Sequence, residues 1–190
     1  MKKTLVIKGD EYRVAFSQES IQIKIATIAD QLLADYSGRE QPPILLLVLT
    51  GGTYFTVDLS RKLEEIGLLH HLDTIGLKRY TQDECGGAVE LISKPHADLG
   101  GRDIIVVEDV VENGATMNFL NDYLKNLSVP PRSVEYCVLG LKENHGPLKF
   151  SIKYCCFLMK PAWIVGYGLD SDQAYRGLAD IYEKVGPVTG

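Results

Sequence analysis

Gly101-Arg102-Asp103-Ile104-Ile105-Val106-Val107-Glu108-Asp109-Val110-Val111-Glu112-Asn113-Gly114-Ala115-Thr116-Met117 decides how this chain is read. Ile104 to Val107 is an unbroken β-branched run, which suits the buried centre of a parallel sheet covered on both faces. Two acids, Glu108 and Asp109, stand side by side at its carboxyl end. Glu112 to Thr116 then makes a short polar loop, and Met117, Leu120, Tyr123, Leu124 and Leu127 carry the three-and-four spacing of a helix. Free N–H groups and the positive end of the helix dipole suit a phosphate at such a turn. The acidic pair suits sugar hydroxyls or a hydrated metal. Together they describe a site for a ribose phosphate; the bland alternative is an ordinary turn whose acids are merely solvated.

Working outward, Ile44 to Leu49 is a second buried run, followed by Thr50-Gly51-Gly52-Thr53 and by Phe55, Leu59, Leu63 and Ile66 up to Gly67. This is again strand, glycine turn, helix, and its N–H groups would face the same sheet edge. Taken alone, the glycine pair reads as a turn. Ser17 is an N-cap for a helix whose apolar face is Ile21, Ile25, Ile28, Ala29, Leu32, Leu33 and Tyr36, ended by Gly38. Strands are expected at Leu5 to Ile7, Tyr12 to Phe16, Leu72 to Tyr80, Val89 to Ile92, Val134 to Leu141, Tyr154 to Met159 and Ile164 to Tyr167. Thr81 to Ala88 reads as a polar hairpin. Strands alternating with helices predict an α/β fold, an open and mostly parallel sheet flanked by helices, with ligands beyond its carboxyl edge.

The 190 residues suffice for one domain, 1–190, with a core of its own; 45% are apolar and 24% charged. A net charge of −5 offers no basic footprint for nucleic acid. No run approaches the roughly 18 apolar residues of a membrane helix. Cys85, Cys137, Cys155 and Cys156 lack metal-binding spacing and read as reduced thiols of a cytoplasmic protein, the adjacent pair packing in a strand.

The opening stretch resembles the signature of type I phosphoribosyltransferases: four apolar residues, two acids, two apolar residues, an acid, a small polar residue, Gly, any residue, Thr. Pro43 to Val185 follows the same family, and Ile44 to Leu59 is similar to its purine-specific branch. The resemblance implies a small hood subdomain formed by roughly 1–16 and 155–190. It implies transfer of the phosphoribosyl group from 5-phosphoribosyl pyrophosphate (PRPP) to hypoxanthine or guanine. Mg²⁺ would be the cofactor, and the chain a homodimer or homotetramer without nucleic-acid or membrane partners. By the same resemblance Glu108, Asp109, Glu112, Asn113, Gly114, Ala115 and Thr116 would hold the ribose and its 5′-phosphate. Thr50, Gly51, Arg79 and Arg176 would hold pyrophosphate. Lys142, Trp163, Ile164 and Asp170 would hold the purine, Glu108, Asp109 and Asp170 would serve the metal, and Glu112 would take the base's proton. The hairpin after Tyr80 would be a lid. The alternative within the family is a catalytically weakened regulatory protein that binds PRPP or a nucleotide.

The chain departs from the family pattern at named positions. Glu112 stands for Asp, Asn113 for Ser or Thr, Thr50 for Lys, and Gly76 for Arg; Arg79 stands where Ser is usual and is expected to restore part of the missing charge. The family also allows a cis peptide bond entering Thr50.

Overall fold

The computed structural model describes residues 4–79 and 88–186. Two sheets form, and the chain order explains both. The larger has strand order β5-β4-β3-β6-β7-β8, from β3 (Ile44–Leu49), β4 (His71–Arg79), β5 (Val89–Ser93), β6 (Asp103–Val111), β7 (Ser133–Lys142) and β8 (Tyr154–Met159). All of its neighbours run parallel except β5, which returns antiparallel along β4. The expected open, mostly parallel sheet is therefore present.

Ile104 to Val107 and Ile44 to Leu46 are fully buried, since β3 and β6 are covered on both faces. On one side lie α1 (Gln18–Tyr36) and α2 (Thr53–Glu65), with Ile25, Leu32, Phe55 and Leu59 packed on Leu45, Ile105 and Val107. On the other lies α3 (Ala115–Lys125), with Met117, Leu120 and Leu124 on Ile44, Ile104 and Val106. Burying one such side chain is worth about 1.5–3 kcal/mol, so a charge anywhere in this run would break the sheet. Ser17 caps α1, its Oγ accepting from Ser20 N at 3.2 Å. Cys155 and Cys156 lie in β8 and, with Cys137, are free; burial pushes the Cys156 thiol up to about 12, so these thiols pack rather than react. Cys85 and the hairpin from Thr81 to Gly87 lie outside the described residues.

The smaller sheet is antiparallel, in the order β1-β2-β10-β9, from β1 (Thr4–Ile7), β2 (Asp10–Phe16), β9 (Ile164–Val165) and β10 (Ile181–Lys184). Two expectations are corrected here. Tyr154 to Met159 belongs to the large sheet, paired with β7, so the C-terminal part of the small sheet begins at Ile164 and not near 155. The strand expected over Ile164 to Tyr167 stops at Val165, because Gly166, Tyr167 and Gly168 all take positive φ and turn the chain. The unexpected β10 then closes the sheet; four residues are too few for a periodic signal.

Candidate active site

In the parallel sheet β3 leads outward to β4, and β6 leads the other way to β7 and β8. The direction of winding thus reverses between the adjacent strands β3 and β6, and a crevice opens beyond their carboxyl ends. The two glycine-bearing turns singled out from the sequence follow these two strands. The register pairs Leu47 with Val107, so two residues further on the β3 turn meets Asp109. Gly51 lies directly under the Asp109 carboxylate, and the Leu49–Thr50 peptide is cis.

A cavity of about 410 Å³ occupies the crevice. Gly51, Arg79, Glu108, Asp109, Glu112, Asn113, Gly114, Thr116, Trp163, Ile164, Asp170 and Arg176 all line it. Three expected residues do not: Thr50, Ala115 and Lys142. The Thr50 carbonyl instead accepts from Thr53 N and Oγ1, at 3.2 and 2.6 Å. The Ala115 N–H is spent on Asn113 Oδ1 at 3.1 Å. Asn113 therefore caps the loop in place of a hydroxyl side chain, and Gly114, at φ 74°, supplies the left-handed turn into α3.

Burial pushes the Glu108 carboxyl well above its ordinary range, and the Asp109 charge beside it pushes the same way. Asp109 is also raised by burial, though less, because hydrogen bonding to Glu108 and Val110 and the Arg176 charge favour its anion. Glu108 Oε1 accepts from Asp109 N at 3.1 Å and Asp109 Oδ1 from Val110 N at 2.6 Å, which fixes both side chains at the strand tip. Two carboxylates are thus held together in a low-dielectric crevice, with the Arg176 charge offsetting only Asp109. That donor set fits Mg²⁺, a hard cation that takes one or two protein carboxylates and fills its sphere with water and phosphate oxygens. Among the described residues no group of three metal-binding side chains forms a cage.

The segment after β9 closes the crevice. A Cβ on Gly168 would lie 2.2 Å from the Gly51 carbonyl oxygen, so only glycine lets this segment rest on the β3 turn. Arg176 Nη1 donates to Gly168 O at 2.6 Å, and its Nη2 meets Asp170 Oδ1 at 2.8 Å. Asp170 is thus already paired to a guanidinium, while its Oδ2 accepts from Gln173 N at 2.8 Å. Trp163 is half exposed and walls both this cavity and a neighbouring one of about 330 Å³, which contains Lys142. Lys142 Nζ donates to Glu112 Oε1 at 2.5 Å and to Ala162 O at 3.0 Å. The β6–β7 register explains the contact: Val111 pairs with Leu141, which brings Glu112 level with Lys142.

Sequence reasoning did not single out Val110, Val111, Met117 and Leu169 as lining residues. Val110 and Val111 prolong β6 past the acids, Met117 reads as helix core, and Leu169 sits between Gly168 and Asp170. None carries a pattern that separates an apolar wall from an apolar core.

Comparison with known proteins agrees with this geometry. The phosphoribosyl transferase domain model matches residues 16–172. The hypoxanthine-guanine phosphoribosyltransferase of Mycobacterium tuberculosis (strain ATCC 25618 / H37Rv) is 32% identical over 178 residues, covering 91% of this chain and 86% of the relative. The hypoxanthine phosphoribosyltransferase of Trypanosoma cruzi in complex with the product IMP superposes with a TM-score of 0.83 at 28% identity, covering 95% of this chain and 97% of that one. A hypoxanthine-guanine phosphoribosyltransferase from Bacillus anthracis, with a HEPES molecule in its active site, gives 0.80 at 29% identity over 90% and 96%. The chain belongs to the phosphoribosyl transferase family, among the hypoxanthine-guanine phosphoribosyltransferases.

Proposed function

We propose that this chain is a purine salvage enzyme that transfers the 5-phosphoribosyl group of PRPP to hypoxanthine or guanine, giving IMP or GMP and pyrophosphate. The observation that carries the reading is the convergence of Gly51, the Glu108-Asp109 pair, Asn113, Gly114, Thr116, Arg176 and Trp163 on one cavity. The 5′-phosphate would sit at the start of α3, where the Gly114 and Thr116 N–H groups and the helix dipole favour an anion. Glu108 and Asp109 would accept from the ribose hydroxyls. Gly51, Arg79 and Arg176 would take the pyrophosphate. Trp163 would stack on the base, with Ile164 and Asp170 at its edge and Lys142 at its oxo oxygen.

In the reaction the base nitrogen attacks the anomeric carbon as the bond from that carbon to pyrophosphate breaks, the leaving group keeping the electron pair. Binding both partners in one crevice supplies proximity and orientation. Arg176 and Arg79 neutralise charge that grows on the leaving oxygen. Glu112, between the phosphate turn and Lys142, accepts the proton displaced from the base. Mg²⁺, held through Glu108 and Asp109 and by the substrate itself, would add charge neutralisation at the pyrophosphate.

The buried, unreactive thiols support a reducing, cytoplasmic setting; no described helix is long and apolar enough to cross a membrane. A homodimer or homotetramer is proposed on the family resemblance. The test is a spectrophotometric assay with PRPP, Mg²⁺ and each purine in turn. Nucleotide formation from hypoxanthine or guanine is expected; tight PRPP binding with no nucleotide from any base would overturn the enzymatic reading.

A further inference from the structure

Glu112 and Asn113 stand with Trp163 on the boundary between the two cavities, and Lys142 is the only cation lining the smaller one among the described residues. Its ammonium is already engaged. The side chain keeps 10% of its surface exposed, against 53% for Glu112, so a nearly buried donor is covered by a carboxylate that water still reaches. The length of Glu112 matters here. With the backbone fixed by the Val111 to Leu141 register, an aspartate would stop about 1.5 Å short, one C–C bond. The present 2.5 Å contact would then open beyond hydrogen-bonding distance.

We propose that Glu112 and the oxo group of the incoming purine compete for Lys142, so that the free enzyme keeps its base site occupied by its own carboxylate. This rests on the proposed reading of the site as a 6-oxopurine site. A base carrying an oxo acceptor takes the ammonium and frees the Glu112 carboxylate beside the base nitrogen that must lose its proton. A base without that acceptor leaves the pair intact and meets a closed site, so Glu112 adds to purine discrimination as well as to proton transfer.

Calorimetric titration with IMP isolates the competition from chemistry, because N7 of the nucleotide carries no proton for Glu112 to accept. Glu112→Asp and Glu112→Gln are both expected to bind IMP about two- to fivefold tighter than the parent enzyme, the range of a half-exposed ion pair. In a Lys142→Met background the same two substitutions are expected to change nothing. Unchanged or weaker IMP binding in both variants would overturn the competition. Tightening that survives in the Lys142→Met background would also overturn it, by tracing the effect to the nucleotide itself. Absence of any IMP binding by the parent enzyme would remove the oxopurine reading and the proposal together.

Discussion

A Cβ on Gly51 would lie 1.7 Å from Asp109 Oδ2, so the turn after β3 and the acidic pair near the end of β6 share one space, and any larger residue at 51 must push the Asp109 carboxylate aside. The consequence reaches two ligand groups at once, because Gly51 is assigned to pyrophosphate and Asp109 to the ribose. Gly51→Ala forces the Asp109 carboxylate away from the Val110 N–H that fixes it. The expected cost in stability is about 1–3 kcal/mol, as for an overpacked site. The expected loss in kcat/KM for PRPP is larger, at least about 100-fold, because a displacement near 1 Å suffices for that. Steady-state kinetics beside a thermal melt will show whether activity falls far more than stability.

Gly76 and Arg79 carry the second prediction. Gly76 faces Ser93 across the β4–β5 pairing, where a Cβ would come within 2.4 Å of Ser93 Oγ. A side chain at 76 would have to displace the Ser93 hydroxyl, and Arg79, three residues on, lines the crevice instead. Arg79→Ala should raise KM for PRPP about tenfold, the lower end for losing a charge-assisted hydrogen bond. It should leave KM for hypoxanthine and the melting temperature almost unchanged, since Arg79 lies exposed at the strand end. Unaltered PRPP affinity would show that the charge missing at Thr50 and Gly76 is not supplied from Arg79.

Glu108 sets the third. Its carboxyl is pushed up chiefly by burial and then by Asp109, so folding favours its protonated form. That contribution is fully present below about pH 4.5, the ordinary glutamate value, and is lost as pH rises through the higher folded-state value. Above that value Glu108 therefore weakens the fold relative to a side chain that is never charged. Glu108→Gln, always neutral and still able to accept from Asp109 N, should match the parent in melting temperature near pH 4 and exceed it by a few degrees at pH 7.5. The same variant should lose PRPP affinity at least tenfold. Parallel melting curves across this range would refute the assignment of strain to the acidic pair.

Much of this arrangement was legible in the residues. The β-branched run from Ile104 to Val107 and the apolar run from Ile44 to Leu49 mark the two central strands, because a parallel sheet buried on both faces tolerates little else. The glycine turns after them mark the ligand edge. Pairings across the crevice were not legible: nothing in spacing shows that Glu112 reaches Lys142 or that Arg176 is held by Asp170. Both depend on strand register and on a turn with three consecutive positive φ values. Tyr167 illustrates the limit, since a tyrosine at φ 51° is disfavoured locally and is held there only by tertiary contacts.

Those contacts lead to the last prediction. Tyr167 Oη donates to Asp58 Oδ2 at 2.7 Å, and the same oxygen accepts from Gln22 Nε2 at 2.8 Å, tying the turn to both α1 and α2. The next residue, Gly168, rests on the Gly51 carbonyl and exchanges hydrogen bonds with Arg176, its N–H donating to Arg176 O at 2.9 Å. Asp58 and Tyr167 therefore hold Gly168 and the Arg176 segment in place without lining the cavity. Tyr167→Phe should cost about 1.5–3 kcal/mol of stability, the loss of one hydrogen bond to a charged group. It should raise KM for PRPP and for pyrophosphate severalfold while leaving KM for hypoxanthine unchanged, since the contacts of Tyr167 and Gly168 run to Asp58, Gly51 and Arg176 rather than to Trp163 or Lys142. Tyr182→Phe is the control: its hydroxyl, on β10 of the small sheet, makes a 3.5 Å contact to Asp180, and neither KM should move. Equal rises in KM for PRPP and hypoxanthine would show that Tyr167 merely supports the fold.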